Sequence, residues 1–357
     1  MKKIAIVGSV GLPAKYGGWE TLVDHLTARL STSFDFTVYC CAEKYPEKLA
    51  TYNGAKLVYI NLDANGMQSI IYDLWSMLKA IRYADTIVVL GVSGCVFMPV
   101  LKLISRKKFV INIDGLEWRR AKWSGFAKWF LKLSESAAVR FADQVVTDNK
   151  AIQDYVKTQY GRDSALIAYG GDHAVRPQRD DAILAAYKLD RVKYAFKVCR
   201  IEPENNIDMI IEAFASAPTM DLVIVGNWDN SEYGKQLRQK YSGIAHLHLL
   251  DPIYDHTILN QLRAACQVYV HGHSAGGTNP SLVEAMSLGL AVLAYGCIFN
   301  RETTKQQACF FNTSVELTEL LNNLDEAKLT LLGQKMKQLA DQLYTWDRIS
   351  SGYADIF

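Results

Sequence analysis

The stretch GSVGLPAKYGGWE, Gly8 to Glu20, follows the apolar run Ile4-Ala5-Ile6-Val7 and precedes a helical pattern over 19–30. A strand that feeds a glycine turn and then a helix is the opening unit of a nucleotide-binding α/β domain. The dinucleotide fingerprint reads G-x-G-x-x-G. Here Gly8 and Gly11 are too far apart for its first pair, and a second pair, Gly17-Gly18, comes only after Lys15 and Tyr16. A long loop ending in adjacent glycines therefore stands at the carboxyl end of the first strand.

Outward from this loop the same alternation continues. Short β-branched or apolar runs lie at 36–40, 57–60, 86–90, 109–113, 144–147 and 165–168, with helical patterns such as 69–81 and 126–140 between them. Strands alternating with helices predict a parallel sheet covered on both faces. The pattern restarts with runs at 194–199, 221–225, 246–249, 267–270, 291–294 and 308–311. Between the halves lies YGGDHAVRPQRDD, Tyr169 to Asp181, whose glycine, charge and proline read as a linker. The expected architecture is α/β: two doubly wound parallel-sheet domains, 1–170 and 171–342, facing each other across a cleft. A C-terminal helix at about 343–357 is expected to pack back on the first domain.

The bulk properties fit an enzyme of this kind. At 357 residues the chain is long enough for two domains, and 50% hydrophobic with 21% charged residues is an ordinary globular balance. A formal net charge of +2 gives no support to nucleic-acid binding. The apolar run behind Met1-Lys2-Lys3 is too short for a signal peptide, and no stretch is long enough to span a bilayer. Seven scattered cysteines without C-x-x-C point to a reduced, cytoplasmic protein.

In the second half, HGHSAGGTNPSLVEAMSLG, His271 to Gly289, reads as a strand end, a glycine turn and a helix start. Asn279 suits the N-cap and Pro280 the first helical position. Gly276 and Gly277 would let a ligand approach bare backbone, and a helix N-terminus attracts anions. Glu284, one turn further in, can reach past such an anion to sugar hydroxyls. Phosphate beside polyhydroxyl is what a nucleotide sugar presents; a capped amphipathic surface helix is the plainer reading. Arg200 stands just past the run 194–199, where its planar fork suits a pyrophosphate, although a solvated arginine would look the same. Asn227 begins another strand-end loop.

In the first half, INIDGLEWRRAKWSGFAKWFLKL begins at a strand end. Asp114 and Glu117 are candidates for acid/base work or for gripping sugar hydroxyls, with Trp118, Arg119 and Lys122 close behind. A turn aspartate and a helix-start glutamate would read alike. Trp123, Phe126, Trp129 and Phe130 interleave with Lys122, Lys128 and Lys132, as at a membrane–water interface or on a buried helix with snorkelling lysines.

The order of these loops resembles glycosyltransferase family 4, whose members have the GT-B fold, and the resemblance covers essentially the whole chain. More narrowly, GLPAKYGGWET, NIDGLEWRRAKWS, RIEPENN, VGNWDNSEYG and HSAGGTNPSLVEAM look like the bacterial rhamnosyltransferase branch of surface-polysaccharide assembly. The resemblance implies that the Gly17-Gly18 loop turns backbone N–H groups toward a donor diphosphate and that Arg200 binds the same group. It implies further donor contacts from Asn227, Gly277, Thr278, Asn279 and Ser281, with Glu284 on the ribose. It also implies acceptor contacts from Glu20, Glu117, Trp118, Arg119 and Lys122, with Asp114 and Arg200 catalytic. Two departures stand out. Gly276 replaces a glutamate usual eight positions before Glu284, and Asn205-Asn206 replace a usual lysine, for which Lys122 or Arg119 could substitute.

The pairs His246/His248 and His271/His273 are spaced i, i+2, and each would need further ligands to hold a metal, so packing is the simpler reading. No two aspartates are separated by a single residue, so the D-x-D metal signature is absent. No cofactor or metal is expected. The sequence thus predicts a retaining, metal-independent transfer of L-rhamnose from dTDP-rhamnose to a lipid-diphosphate-linked saccharide. The site would be the cytoplasmic face of the inner membrane, with no nucleic-acid partner. Other readings are a donor such as UDP-galactose, a nucleotide-sugar epimerase, or a non-catalytic membrane-surface assembly protein.

Overall fold

Ile4, Ala5, Ile6 and Val7 are fully buried in β1 (Lys2–Val7), as a strand is when helices cover both faces of its sheet. The computed structural model describes residues 1–15, 17–113, 115–119, 123, 125–216 and 220–357. The chain divides into two units, Met1–Tyr169 with Trp346–Phe357, and Gly170–Thr345.

Among the described residues the first unit has eight strands: β1, β2 (Phe34–Cys41), β3 (Thr51–Tyr52), β4 (Ala55–Ile60), β5 (Thr86–Leu90), β6 (Lys108–Asn112), β7 (Gln144–Thr147) and β8 (Ala165–Leu166). Their order is β3-β4-β2-β1-β5-β6-β7-β8, parallel except for the short β3–β4 pair. β3, with two residues, has no readable sequence signal, and β8 is shorter than the expected 165–168. The helix Trp346–Ile356 completes this unit. Trp346 is fully buried, stacking on His25 at 4.1 Å and meeting Tyr169 edge-on at 4.8 Å. The Asn112 amide donates to the Tyr353 hydroxyl at 2.9 Å, and Phe357 packs edge-on against Phe34 and Phe36.

The second unit has six parallel strands among the described residues: β9 (Tyr194–Val198), β10 (Asp221–Val225), β11 (Leu247–Leu250), β12 (Val268–His271), β13 (Val292–Tyr295) and β14 (Cys309–Phe311), in the order β11-β10-β9-β12-β13-β14. Odd and even residues of β9 face different cores. Ala195 lies with Ile210, Phe214 and Leu293, while Phe196 lies with Tyr269, Leu262 and Leu288.

The segment 169–181 is not the free linker that its composition suggests. Only Tyr169 falls in the first unit. Gly171 donates its N–H to the Tyr344 carbonyl at 2.7 Å, and Ala174 is buried. Arg176 donates to the carbonyls of Ala264 and Leu288 at 3.1 and 2.9 Å. Those oxygens end the helices His256–Ala265 and Pro280–Ser287 and lack partners within them, so a cation is well placed there. One charge of this stretch, Arg176, thus serves as a helix-end brace, while Asp172, Arg179, Asp180 and Asp181 are exposed.

Candidate functional site

In each sheet the strand order reverses beside the first strand of the unit, between β1 and β5 and between β9 and β12. Such switch points splay the following loops apart and leave a crevice at the carboxyl ends of the strands. The second unit's crevice is flanked by the loop after β9, carrying Arg200, and the loop after β12, carrying Gly276 to Asn279.

The helix Pro280–Ser287 begins as its sequence requires. Asn279 has extended backbone, and its Oδ1 accepts from the Ser281 N–H at 3.1 Å and from the Ser281 hydroxyl at 2.8 Å. Both polar side chains at the cap are thus engaged with each other, which leaves backbone N–H groups as the first turn's means of holding an anion. Gly276 has φ 118 with no atom within 4 Å of where a Cβ would stand. Gly277 is half-buried and Thr278 is buried.

Glu284 is held from two directions. Arg263 donates to Oε2 at 2.6 Å, and His173 lies 3.2 Å from Oε1; the Glu284 side chain is 16% exposed. Burial alone would raise its pKa, but Arg263 and His173 outweigh it and hold the carboxyl at about 2. Glu284 is therefore a fixed anion with spare lone pairs. Neither partner was visible in the sequence: Arg263 lies in the helix His256–Ala265 and His173 in the supposed linker.

Arg200 is about half exposed, its Nη1 3.9 Å from Glu202 Oε1. Its loop is pinned from below, because Asn205 Nδ2 donates to the Arg200 carbonyl at 2.6 Å and Asn206 Nδ2 to the Gly272 carbonyl at 2.8 Å. Asn206 has φ 50, a left-handed conformation that asparagine tolerates better than lysine. Asn205 thus fastens its own loop, and Asn206 ties the two crevice loops together. Asn227 is exposed, while its neighbour Trp228 is fully buried and donates Nε1–H to the Leu250 carbonyl at 2.9 Å.

In the first unit, Gly17 precedes the helix Gly18–Leu30 with φ 124 and no side-chain cap. A Cβ on Gly17 would lie 2.0 Å from Glu20 Oε2. Glu20 is 6% exposed and accepts the Val10 N–H at 2.6 Å. Gly17 therefore lets the loop fold over a buried carboxylate. Glu20, named above as an acceptor contact, braces the loop from inside; burial raises its pKa against the opposing Val10 N–H.

The turn Glu117–Arg119 is likewise braced. Glu117 accepts from Trp123 Nε1 at 3.1 Å, and Trp118 Nε1 donates to Glu135 at 3.0 Å. Lys132 and Arg119 lie over the Trp118 ring at 4.7 and 5.1 Å. Glu135, 1% exposed, also accepts the hydroxyls of Tyr155 and Tyr160, each at 2.7 Å. Trp118, expected as an acceptor contact, is thus fastened to a buried carboxylate that the sequence did not single out. Arg119 keeps an exposed guanidinium. Asp114 and Lys122 lie outside the described residues.

His248 pairs with Asp221 at 2.7 Å and His246 with the Phe214 carbonyl at 3.1 Å, so both serve the fold. Among the described residues no group of three or more His, Cys, Asp or Glu side chains could hold a metal ion. In the helix Gly125–Phe141, Phe126, Trp129 and Leu133 are 76, 60 and 44% exposed, while Leu131 is buried. The exposed aromatic pair is Phe126 and Trp129, with ring centroids 5.8 Å apart, whereas Phe130 is only partly exposed. Leu103 and Ile104 of the helix Met98–Ile104 are also exposed, at 86 and 59%. No helix among the described residues is long and apolar enough to cross a membrane.

Comparison with known proteins agrees with this architecture. Residues 183–327 match the family described as glycosyl transferases group 1, and residues 1–172 match a domain of unknown function, DUF1972. An uncharacterised glycosyltransferase of Methanocaldococcus jannaschii is 22% identical over 406 residues, covering 100% of this chain and 99% of the relative. Sucrose-phosphate synthase from Thermosynechococcus elongatus superposes with a TM-score of 0.83 at 15% identity, over 99% of this chain and 98% of that one. The Anabaena protein HepE, solved with UDP, gives 0.78 at 18% identity over 99% of both chains. The chain has the two-domain α/β fold of GT-B glycosyltransferases, and most of its second unit, residues 183–327, resembles group 1 glycosyl transferases.

Proposed function

We propose that the chain is a retaining, metal-independent glycosyltransferase that moves L-rhamnose from dTDP-rhamnose to a lipid-diphosphate-linked saccharide in O-antigen, capsule or cell-wall polysaccharide assembly. The observation that carries the donor half is the crevice between β9 and β12, flanked by Arg200 and by a glycine turn that opens the helix holding the fixed Glu284 carboxylate. In this reading the second unit binds the nucleotide sugar. Arg200 and the N–H groups at the start of Pro280–Ser287 take the charge of the departing diphosphate, and Glu284 accepts the ribose hydroxyls. No metal is then required for the leaving group, and activity survives excess EDTA.

The first unit serves the acceptor, with Asp114 orienting the hydroxyl or holding the transferred sugar. The exposed Phe126 and Trp129, with Lys132 on the same helix, support contact with the cytoplasmic face of a membrane. A uridine nucleotide is the competing donor, favoured by the likeness to HepE, which was solved with UDP-glucose. Thermal-shift measurement with dTDP, UDP and GDP separates the readings. The largest rise with dTDP supports the rhamnosyl donor, a rise with UDP alone moves the donor to a uridine sugar, and no rise with any of the three removes the donor-site reading.

A further inference from the structure

β9 reads Tyr194-Ala195-Phe196-Lys197-Val198, an apolar strand with one amine in it. Lys197 has no exposed surface, and its Nζ has no hydrogen-bond partner. A valine or isoleucine would fill this position without the cost of burying an ammonium group. The amine lies where the two crevice loops meet, since a Cβ placed on Gly272 would stand 3.1 Å from Nζ and 2.2 Å from the Asn205 carbonyl. On β12, His271 is equally buried, with neither ring nitrogen partnered, and its ring stacks on His273 at 4.4 Å. Burial disfavours the charged form of both bases. Cys199, whose thiol is itself pushed up by burial, is the other titratable group acting on the amine, while the neighbouring helix Ile207–Ser216 presents Ile210.

We propose that Lys197 is a latent cation beneath the donor site, neutral in the free protein and protonated from solvent when a nucleoside diphosphate docks between the loops. The inference rests on the donor-site reading above. It explains why an amine is kept where an apolar side chain would pack better, because a charge in a low-dielectric floor attracts an anion strongly without touching it.

Calorimetric titration of the full chain with dTDP at pH 8, in buffers of different ionisation enthalpy, tests it. That pH lies above the second phosphate ionisation, at about 6, so the ligand itself takes up no proton. Wild type should take up close to one proton per dTDP bound. Lys197→Met should take up none, bind dTDP about ten- to a hundredfold more weakly, and melt no lower than wild type. Because His271 could accept the same proton, the difference between the two proteins makes the assignment. Equal proton uptake or equal affinity in wild type and variant would overturn the inference. Failure of wild type to bind dTDP or UDP would instead overturn the donor-site reading.

Discussion

The guanidinium of Arg263 donates to the Glu284 carboxylate at 2.6 Å with only 3% of its own side chain exposed. Removing the guanidinium would leave a carboxylate in a largely dry setting with only His173 beside it. Arg263→Ala should lose about 3 kcal/mol of stability in urea unfolding, the usual cost of breaking a buried pair, and Arg263→Lys distinctly less. The same pair makes stability acid-sensitive. The folded pKa is depressed to about 2 from 4.5, so this contribution is full above pH 4.5 and is lost as pH falls toward 2. Wild type should therefore lose its advantage over Glu284→Gln across that window. A gap between the two that stays constant with pH would contradict the assignment.

Asp73 gives the opposite sign. It is buried beneath the loop at Gly94, whose N–H it accepts at 3.0 Å, and burial raises its pKa to about 7 from 3.8. Stability from the neutral form is present below about pH 4 and is lost as pH rises through 7. Asp73→Asn keeps an acceptor for Gly94 and cannot ionise, so its melting temperature relative to wild type should climb between pH 5 and pH 8. Over that window the climb corresponds to as much as about 3 kcal/mol; an unchanged difference would mean that the carboxyl is already ionised in the folded protein.

Arg200 carries a catalytic expectation. Arg200→Ala should lower turnover about a hundredfold, the scale of one charge-assisted bond to a developing anion, with little change in stability because the side chain is half exposed. Turnover within a few-fold of wild type would remove Arg200 from the mechanism.

Much of this was legible in the sequence for a physical reason. Runs buried on both faces announce parallel strands, and Asn279-Pro280 announces a helix start, because both are local signals. What escaped was long-range. Glu284 meets a histidine from a segment that composition reads as linker, and Trp118 meets Glu135, which looks like any helix glutamate. Asn205 and Asn206 read as the loss of a cation, yet Asn205 fastens its own loop and Asn206, in a left-handed turn, joins it to the next. The interleaved aromatics also divide by helix phase: the exposed face of Gly125–Phe141 runs through 126, 129 and 133, and Phe130 lies off it.

That face yields the fourth prediction. Replacing Phe126 and Trp129 together by serine should change unfolding stability by no more than about 0.5 kcal/mol, as for exposed positions. It should lower activity on long-chain lipid acceptors more than on short soluble analogues. Equal loss on both acceptors would remove the membrane role while leaving glycosyl transfer intact.

The return of Trp346–Phe357 to the first unit has a consequence for synthesis on the ribosome. The second unit is one uninterrupted segment, whereas the first is built from the segment before it and the helix after it. Domains usually finish folding in the order in which they emerge. Here the sheet of the first unit is made before the second unit, and the helix that covers His25, Phe34 and Phe36 after it, so the nascent first unit carries open apolar surface for the whole time that the second is being made. Chaperone demand during translation should accordingly fall on the amino-terminal half, and a stop codon placed before Trp346 should cost solubility while leaving the downstream domain folded.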